Sequence, residues 1–200
     1  MNNQGATNKH DAIADAVLSL AARKGLEYVS LRHVAIEAGV SMGQIQYYFG
    51  TTADLLHFSI KRMIDQLGVL VAARAASWEE QDDPLDPLFA LVHALITDDP
   101  EICRIMNVLG QYEARLTNDD RIGGLLARND PNLQAYTVAI FAGAVEAGVL
   151  PESVDPVMEA QIYWVLLGSL SVEIALGSST VARGLELMTY HLTRLRLLHS

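Results

Sequence analysis

Side chains that could recognise a nucleic acid are concentrated in one short stretch, Ser41-Met42-Gly43-Gln44-Ile45-Gln46-Tyr47-Tyr48. On a helical wheel of about 100° per residue, Gly43 and Tyr47 lie opposite Ile45, and Gln44 and Gln46 flank them. The outward face is small, amide-bearing and aromatic, and it includes no acid. Glutamine can pair with adenine in the major groove, and other polar side chains can reach phosphates, so this face is suited to DNA.

Two short helices around a tight turn are predicted to hold this face. Ser30 is a candidate N-cap of the first helix, and Gly39 ends it because glycine readily takes the left-handed conformation. Ser41 can cap the second helix, in which Ile45 and Phe49 point inward. The inner face of the first helix is formed by Leu31, Val34, Ala35 and Ala38.

The stretch from Ser30 to Phe49 closely resembles the DNA-binding motif of the TetR family of bacterial transcriptional regulators. The resemblance covers residues 10 to 60 and implies an all-α fold. It implies an N-terminal three-helix helix-turn-helix DNA-binding domain, residues 1–52, and a C-terminal helical ligand-binding and dimerisation domain, residues 53–200. The matching positions are Gly25, Ser30, Ala35, Ala38-Gly39-Val40-Ser41, Gly43, Ile45, Tyr48-Phe49 and Leu55-Leu56.

The candidate DNA-binding residues fall into two groups. Gln44, Gln46 and Tyr47 are candidates for contacting bases, with Met42 at the edge and Gly43 allowing the backbone to approach the groove. The candidates for contacting phosphates or a neighbouring base edge are Ser30, Arg32, His33, Ser41, Tyr48, Thr51 and Thr52. The alternatives are a solvated polar face for the glutamines and simple packing for Tyr48.

Two positions depart from the family pattern. Thr52 stands where the family usually has a lysine that pairs with phosphate, and Gln46 stands where it often has a tyrosine. Losing one charged phosphate contact weakens binding and flattens its salt dependence by about one unit. Arg32, Lys9 and the capped helix ends must then supply much of the phosphate binding.

Charge is distributed unevenly along the 200 residues, whose formal net charge is −10. Residues 1–62 hold 6 basic and 5 acidic residues, a net charge of +1, and residues 63–200 hold 8 basic and 19 acidic residues, a net charge of −11. An acidic body would repel DNA everywhere except at the N-terminal end and would help to orient the molecule. Alternatively, the acidity serves only solubility.

The rest of the chain is predicted to be helical. The expected helices span residues 11–24, 52–77, 85–97 and 100–116, followed by one that reaches toward Gly148 with a kink or break at Pro131, and by two C-terminal helices separated at Gly177. Residues 117–120 are expected to form a turn and cap.

The two C-terminal helices each have a regular apolar seam. The seams are Met158, Ile162, Val165, Val172 and Leu176 in one helix and Val181, Leu185, Met188, Leu192 and Leu195 in the other. Such seams pack helices side by side, so the pair is inferred to form a homodimer with its copy as a four-helix bundle. The alternative is that both helices are internal core. The family resemblance implies the dimer.

A small-molecule site is expected in the C-terminal domain, where the resembling family binds its effectors. Apolar pockets with a few convergent polar groups are typical ligand sites, and the alternative for each residue is plain core. The effector is expected to be small and lipophilic, with Gln111, Tyr112 and Trp164 as the foremost contacts. The full candidate set is Trp78, Phe89, His93, Met106, Asn107, Gln111, Tyr112, Phe141, Gln161 and Trp164.

Other chemistry finds no support in the sequence. The histidines lack metal-ligand spacing, and neither a nucleophile–base grouping nor a dinucleotide fingerprint is found, so no enzyme activity, metal or cofactor is predicted. Cys103 is alone, which excludes an internal disulfide and fits a reducing cytoplasm. The apolar run at residues 162–176 falls short of the roughly 20 residues of a membrane span.

These observations predict a ligand-responsive transcriptional repressor that binds a palindromic operator in double-stranded DNA as a dimer and is released by its effector. One alternative is an activator or a ligand-independent DNA-binding regulator. An alternative of another class is a helical small-molecule binding protein or enzyme.

Overall fold

The computed structural model describes residues 3–79, 82–115 and 130–197. Every regular element in these ranges is a helix, which confirms the predicted all-α fold. The helices are α1 Asn3–Lys24, α2 Leu31–Ala38, α3 Met42–Tyr48, α4 Thr52–Ala75, α5 Asp86–Leu95, α6 Pro100–Arg115, α7 Pro131–Glu146, α8 Pro156–Ala175 and α9 Val181–Leu195, with a short 3-10 turn at Leu26–Tyr28 between α1 and α2.

The chain divides into two compact units. The first comprises Met1–Leu67 and Arg104–Gly123, and the second comprises Gly68–Cys103 and Gly124–Ser200. Helices α4 and α6 therefore each contribute residues to both units. The domain boundary between residues 52 and 53 stays a prediction.

The first unit contains the three-helix arrangement that the N-terminal pattern predicts. Helix α1 packs against α2 and the 3-10 turn, and α2 packs against α3. The apolar stripe of α1 is buried, as are Val34 of α2 and Ile45 of α3. The buried set in α1 includes Ile13, Val17, Leu20 and Ala21. Burial of these small and branched side chains fixes the angle at which α3 presents its opposite face.

The ends of α2 and α3 follow the expected capping chemistry. Ser30 caps α2 by accepting a hydrogen bond from the backbone N–H of His33. Gly39 ends α2 with φ 65°, a left-handed conformation that a Cβ would disfavour. The turn between the two helices is thus specified by a serine, a glycine and a second serine, Ser41, which caps α3.

In the second unit, α8 packs against α7 and α9, and α5 contacts all three of these helices. Polar groups in this core are bonded internally: the Tyr163 hydroxyl donates to the Leu88 carbonyl at 2.8 Å, and Trp164 Nε1 donates to Thr137 Oγ1 at 2.9 Å. Gly184 of α9 allows a close helix approach, because a Cβ there would lie 2.9 Å from Cγ2 of Ile96.

The two predicted C-terminal seams have different environments. Met188, Leu192 and Leu195 of α9 are fully buried within the chain. The α8 seam is exposed instead, with Met158 and Val165 each 56% accessible. These three positions of the α9 seam therefore complete the core of their own unit, while dimerisation through the two C-terminal helices stays a prediction.

Two further differences concern α7 and α8. Asp130 caps α7 and Pro131 is its first residue, so the expected kink or break at this proline is the start of a helix. The predicted turn at residues 117–120 lies outside the described residues.

Helix α8 has 20 residues and could cross a membrane by length and composition alone. The expectation that this run is too short is therefore wrong. However, 39% of its apolar window is buried, and core helices commonly meet the same criterion.

Candidate functional site

The start of α3 is held by a reciprocal pair of hydrogen bonds. Ser41 Oγ accepts from the backbone N–H of Gln44 at 3.2 Å, and Gln44 Oε1 accepts from the backbone N–H of Ser41 at 2.9 Å. This capping box satisfies two amides that the helix leaves unpaired. Because the Gln44 oxygen is engaged, only its amide nitrogen is free to donate, and bidentate pairing with adenine would require the cap to open.

The outward face of α3 is formed by the remaining predicted base contacts. Tyr47 is 85% exposed while Ile45, on the opposite side, is fully buried. Gln46, Met42 and Gly43 are also exposed. The helix therefore presents an uncharged surface of one phenol, one amide, one thioether and one glycine to solvent.

Tyr48 is half-buried and packs against aromatic neighbours. Its ring centroid lies 4.5 Å from that of His10, edge to face, and 5.3 Å from that of Tyr47. His10 also contacts Phe49 and Phe58. These three ring contacts make His10 of α1 the support for Tyr48, a role that is not among the predictions from the sequence.

The beginning of α2 carries a small stack of aromatic and cationic groups. The rings of Tyr28 and His33 are parallel with centroids 4.0 Å apart, and Lys24 Nζ lies 4.3 Å from the centre of the Tyr28 ring. His33 Nδ1 is 2.7 Å from the Tyr28 carbonyl oxygen; this nitrogen must carry the proton, because a carbonyl can only accept. His33 Nε2 is therefore the ring nitrogen that is available for a phosphate or a base edge.

Arg32 is the neighbouring cation in the same helical turn. It is exposed, and no acidic partner is found for it within the described part of the chain. By contrast, Arg23 is bound to Glu37 at 2.7 Å, with Ser19 donating to the same carboxylate oxygen at 3.0 Å. The Ser19 hydrogen bond and the nearby Arg23 guanidinium lower the pKa of the Glu37 carboxyl, so this acid is charged and α1 is fastened to α2.

The start of α4 contains a feature that opposes phosphate binding. Thr51 Oγ1 accepts from the backbone N–H of Asp54 at 3.1 Å and donates to its carboxylate at 2.7 Å. The Thr51 hydroxyl is therefore engaged in the cap, and an acid lies at the helix N-terminus beside Thr52, where phosphate contacts were predicted. The carboxylate occupies the favourable electrostatic position that a phosphate would take.

Four of the predicted effector contacts belong to the first unit. Gln111 Oε1 accepts from the backbone N–H of Leu26 at 3.1 Å, and Gln111 Nε2 donates to Asn107 Oδ1 at 2.7 Å. The polar atoms of this pair are thus bonded within the first unit, which sequence spacing did not indicate. The other two first-unit candidates, Met106 and Tyr112, are buried.

The other six candidates lie in the second unit. Phe141 and Trp164 are buried core, Phe89 is half-buried, and Gln161 is exposed beside the apolar stripe of α8. Among these six, the rings of Trp78 and His93 contact each other, with centroids 4.6 Å apart. The assignment of the ten candidates to one effector site stays a prediction.

Trp78 and His93 line a cavity of about 300 Å³ together with Arg74, Ser77 and Ala90. Arg74, Ser77 and Ala90 are not among the predicted effector contacts. A signal was available: Arg74 is one of 8 basic residues against 19 acidic ones in residues 63–200, and it lies near the end of α4, four residues before Trp78. Within the described residues, no group of three or more histidine, cysteine, aspartate or glutamate side chains could hold a metal ion.

Comparisons with known proteins agree with the geometry of the first unit. The sequence model of the family described as bacterial regulatory proteins, tetR family, matches residues 13–57. The HTH-type transcriptional regulator PksA of Bacillus subtilis (strain 168) is 41% identical over 49 residues. That aligned stretch spans 24% of this chain and 24% of PksA. The similarity is therefore confined to the DNA-binding segment, which is about a quarter of each protein.

Solved structures share the whole fold. A protein described as a TetR-family transcriptional regulator from Rhodococcus sp. superposes with a TM-score of 0.81 at 21% identity, covering 94% of this chain and 99% of that one. A TetR transcription regulator from Haloarcula marismortui ATCC 43049 gives a TM-score of 0.78 at 15% identity, covering 94% and 98%. At these identities the likeness concerns the fold alone.

Proposed function

Since the chain belongs, by its DNA-binding segment, to the tetR family of bacterial regulatory proteins and is a DNA-binding transcriptional regulator rather than an enzyme, we propose that it is a homodimeric repressor. It binds a near-palindromic operator and is released by a small-molecule effector. Such a regulator acts in the cytoplasm, where its operator is.

The observation that carries this proposal is the face of α3. Tyr47 is 85% exposed although its ring touches that of Tyr48, and a tyrosine commonly buries most of its ring. Gln46 is exposed next to it. An uncharged, hydrogen-bonding face on the second helix of a helix-turn-helix is suited to the major groove.

The symmetry of the operator follows from dimerisation. The exposed stripe of α8 contains Val157, Met158, Ile162, Val165, Leu166 and Leu176. An apolar face of this length is costly in water and is matched by the same face of a second copy across a twofold axis. Two α3 helices spaced by one DNA turn, about 34–36 Å, would bind two half-sites of opposite orientation.

Release by an effector is supported by the course of α4. This helix begins next to α3 and ends at Ala75, beside the cavity that Arg74 and Trp78 line. A ligand that binds one position of α4 better than another shifts the population of that position. A change in α4 would alter the spacing of the two α3 helices and lower operator affinity.

The proposal is tested by footprinting the full-length protein on the DNA upstream of its own gene. Protection of a near-palindrome with half-sites about 10 base pairs apart is expected. Gel-shift titration should then give weaker binding for Gln46→Ala and Tyr47→Ala. Failure to protect any palindrome, with both variants behaving like the parent, would refute it. Reporter output with and without the gene separates repression from activation.

A further inference from the structure

The cavity at the end of α4 is lined by groups that donate hydrogen bonds. Its five lining residues are Arg74, Ser77, Trp78, Ala90 and His93, all of which belong to the second unit. The set contains a guanidinium, an indole, an imidazole and a hydroxyl that already donates to the Arg74 carbonyl at 2.7 Å, and it contains no carboxylate. A site of this composition is complementary to a ligand that accepts hydrogen bonds and carries negative charge.

Arg74 is held in place by two side chains, Thr97 and Asp99. Its Nη2 donates to Thr97 Oγ1 at 3.0 Å, and its Nη1 lies 3.6 Å from Asp99 Oδ2. The other carboxylate oxygen of Asp99 accepts from the backbone N–H groups of Glu101 and Ile102 at 3.0 and 3.2 Å. Asp99 therefore serves mainly as the N-cap of α6. At 3.6 Å its contact with Arg74 is longer than a hydrogen bond, so it does not use all five N–H donors of the guanidinium.

Trp78 contributes a donor without an acceptor. Its Nε1 is buried from solvent, and no hydrogen-bond acceptor is found for it among the described residues. Leaving a buried donor unpaired costs about 1–3 kcal/mol, and most buried polar groups have partners. By contrast, the indole nitrogen of Trp164 has its partner in Thr137. Since this nitrogen has no surface open to solvent, a ligand acceptor can reach it only if the indole turns toward the cavity.

His93 also lines the cavity. Its ring lies against the Trp78 indole at 33° between planes. Burial lowers the pKa of His93, so the imidazole is neutral at pH 7 and can pack on the indole without a charge. The indole face and the Ala90 methyl group supply the apolar surface of the cavity.

We propose that this cavity binds a small organic carboxylate, with the carboxylate group on Arg74 and a short apolar tail against the Trp78 indole and Ala90. A volume of about 300 Å³ is at the small end of ligand sites, which favours a short-chain acid over a long lipid. The inference rests on the proposed function and names the chemical class of its effector: a compact anion, in place of the lipophilic molecule that the sequence suggested.

The test uses intrinsic fluorescence, because the chain has two tryptophans and one of them lies in the cavity. In the full-length Trp164→Phe variant, Trp78 is the single emitter. Titration with sodium butanoate is expected to change its emission saturably, and butan-1-ol, which has the same tail without the charge, is expected to bind at least tenfold more weakly. Inorganic phosphate is the third probe and is also expected to bind more weakly than butanoate.

Arg74→Gln, made in the same background, is expected to weaken butanoate binding tenfold or more. The matched control is Arg183→Gln, an exposed arginine of the same unit that pairs with Glu186 on α9; butanoate affinity should be unchanged. If Arg74→Gln fails to fold, Arg74→Met replaces it. This variant keeps a long side chain and removes the charge, and it should also weaken butanoate binding tenfold or more.

Three outcomes would overturn the proposal: butan-1-ol binding as tightly as butanoate, phosphate binding more tightly, or full butanoate affinity in Arg74→Gln or its replacement. Operator gel shifts are run in parallel without any ligand, so that failure of DNA binding is separated from failure of the cavity. Butanoate that fills the cavity without changing operator affinity would overturn the effector assignment.

Discussion

Gln111 of α6 accepts a hydrogen bond from the backbone of Leu26, across 85 residues of sequence and at a distance of 3.1 Å. Leu26 opens the 3-10 turn between α1 and α2, where its N–H has no helical partner. The same side chain donates to Asn107, which fixes the orientation of its amide. Gln111 thus serves the first unit as a side-chain cap for a turn that precedes the DNA-facing helices.

Replacing Gln111 by Met should destabilise the protein by about 1–3 kcal/mol, because methionine fills similar volume but leaves the Leu26 N–H unpaired. Urea unfolding measures the change. Asn107→Ala is the matched control: it removes the partner of Gln111 Nε2 and keeps the acceptor for Leu26, so its effect should be smaller. Equal stability of Gln111→Met and the parent would show that the hydrogen bond contributes nothing.

Tyr47→Ala should weaken operator binding about tenfold or more while leaving the melting temperature unchanged, because the side chain is exposed and its loss removes groove contacts only. Gel-shift titration and a thermal melt measure the two quantities. Tyr136→Ala is the control, since Tyr136 is a half-exposed tyrosine on α7 of the second unit. Similar losses of affinity in both variants would contradict a specific role for Tyr47.

The salt dependence of operator binding should change in opposite directions in two variants. Arg32→Ala removes an unpaired cation, so the slope of log K against log salt should flatten by about 0.9. Thr52→Lys introduces a cation at the start of α4 and should steepen the slope by about 0.9. Fluorescence anisotropy at several salt concentrations gives both slopes. An unchanged slope in Arg32→Ala would place that residue away from the phosphates.

Val165→Asp should dissociate the dimer, because it places a charge in the middle of the exposed apolar stripe of α8. Sedimentation velocity should show a monomer, and operator affinity should fall at least tenfold because two half-sites are no longer bound together. Val69→Asp introduces the same charge at an exposed valine of α4 and should stay dimeric. A dimeric Val165→Asp protein would place the interface elsewhere.

The buried pair His191 and Glu159 should give stability a measurable pH dependence. Nε2 and Oε2 lie 3.3 Å apart, close enough for an ion pair, but burial lowers the pKa of His191 and raises the pKa of Glu159. Burial therefore outweighs the attraction, and the imidazole is neutral at pH 7. Protons bind His191 more readily in the unfolded chain, so its contribution to stability falls as pH drops below about 6.5.

Urea unfolding at pH 7.5 and 5.5 should accordingly show a larger loss of stability for the parent than for His191→Gln. Glu159 acts in the opposite direction: its raised pKa gives stability that is present below about 4.5 and is lost as pH rises through the folded pKa. Glu159→Gln removes this opposing term, so the loss on acidification should be steeper than in the parent. Parallel pH profiles for parent and His191→Gln would contradict this account.

Local signals in the sequence were sufficient for the first unit. Ser30, Gly39 and Ser41 specify the turn, and the buried positions Ile13, Val17 and Ile45 follow the helical period. These features depend on neighbours within four residues, which is why periodicity and capping preferences capture them. The exposed face of α3 follows directly, since it is the complement of the buried one.

Side-chain partners distant in sequence were not accessible in the same way. The Gln111–Leu26 hydrogen bond and the internal burial of the α9 seam depend on which helices come together. An apolar stripe has the same pattern whether it packs on its own chain or on a copy. The Gln44 side chain is a similar case, because an amide that can contact a base can equally complete a capping box.

The first compact unit is made from two separate segments of the polypeptide, one ending at Leu67 and one beginning at Arg104. It cannot be excised with a single cut, and a shuffled gene that joined residues 1–67 to a foreign sensor would lack the residue that holds Leu26. An engineered biosensor that keeps this operator specificity should therefore transplant residues 104–115 with the N-terminal segment, or provide a glutamine at the equivalent place. Modularity in this protein is a property of its three-dimensional contacts and does not follow the linear order of its residues.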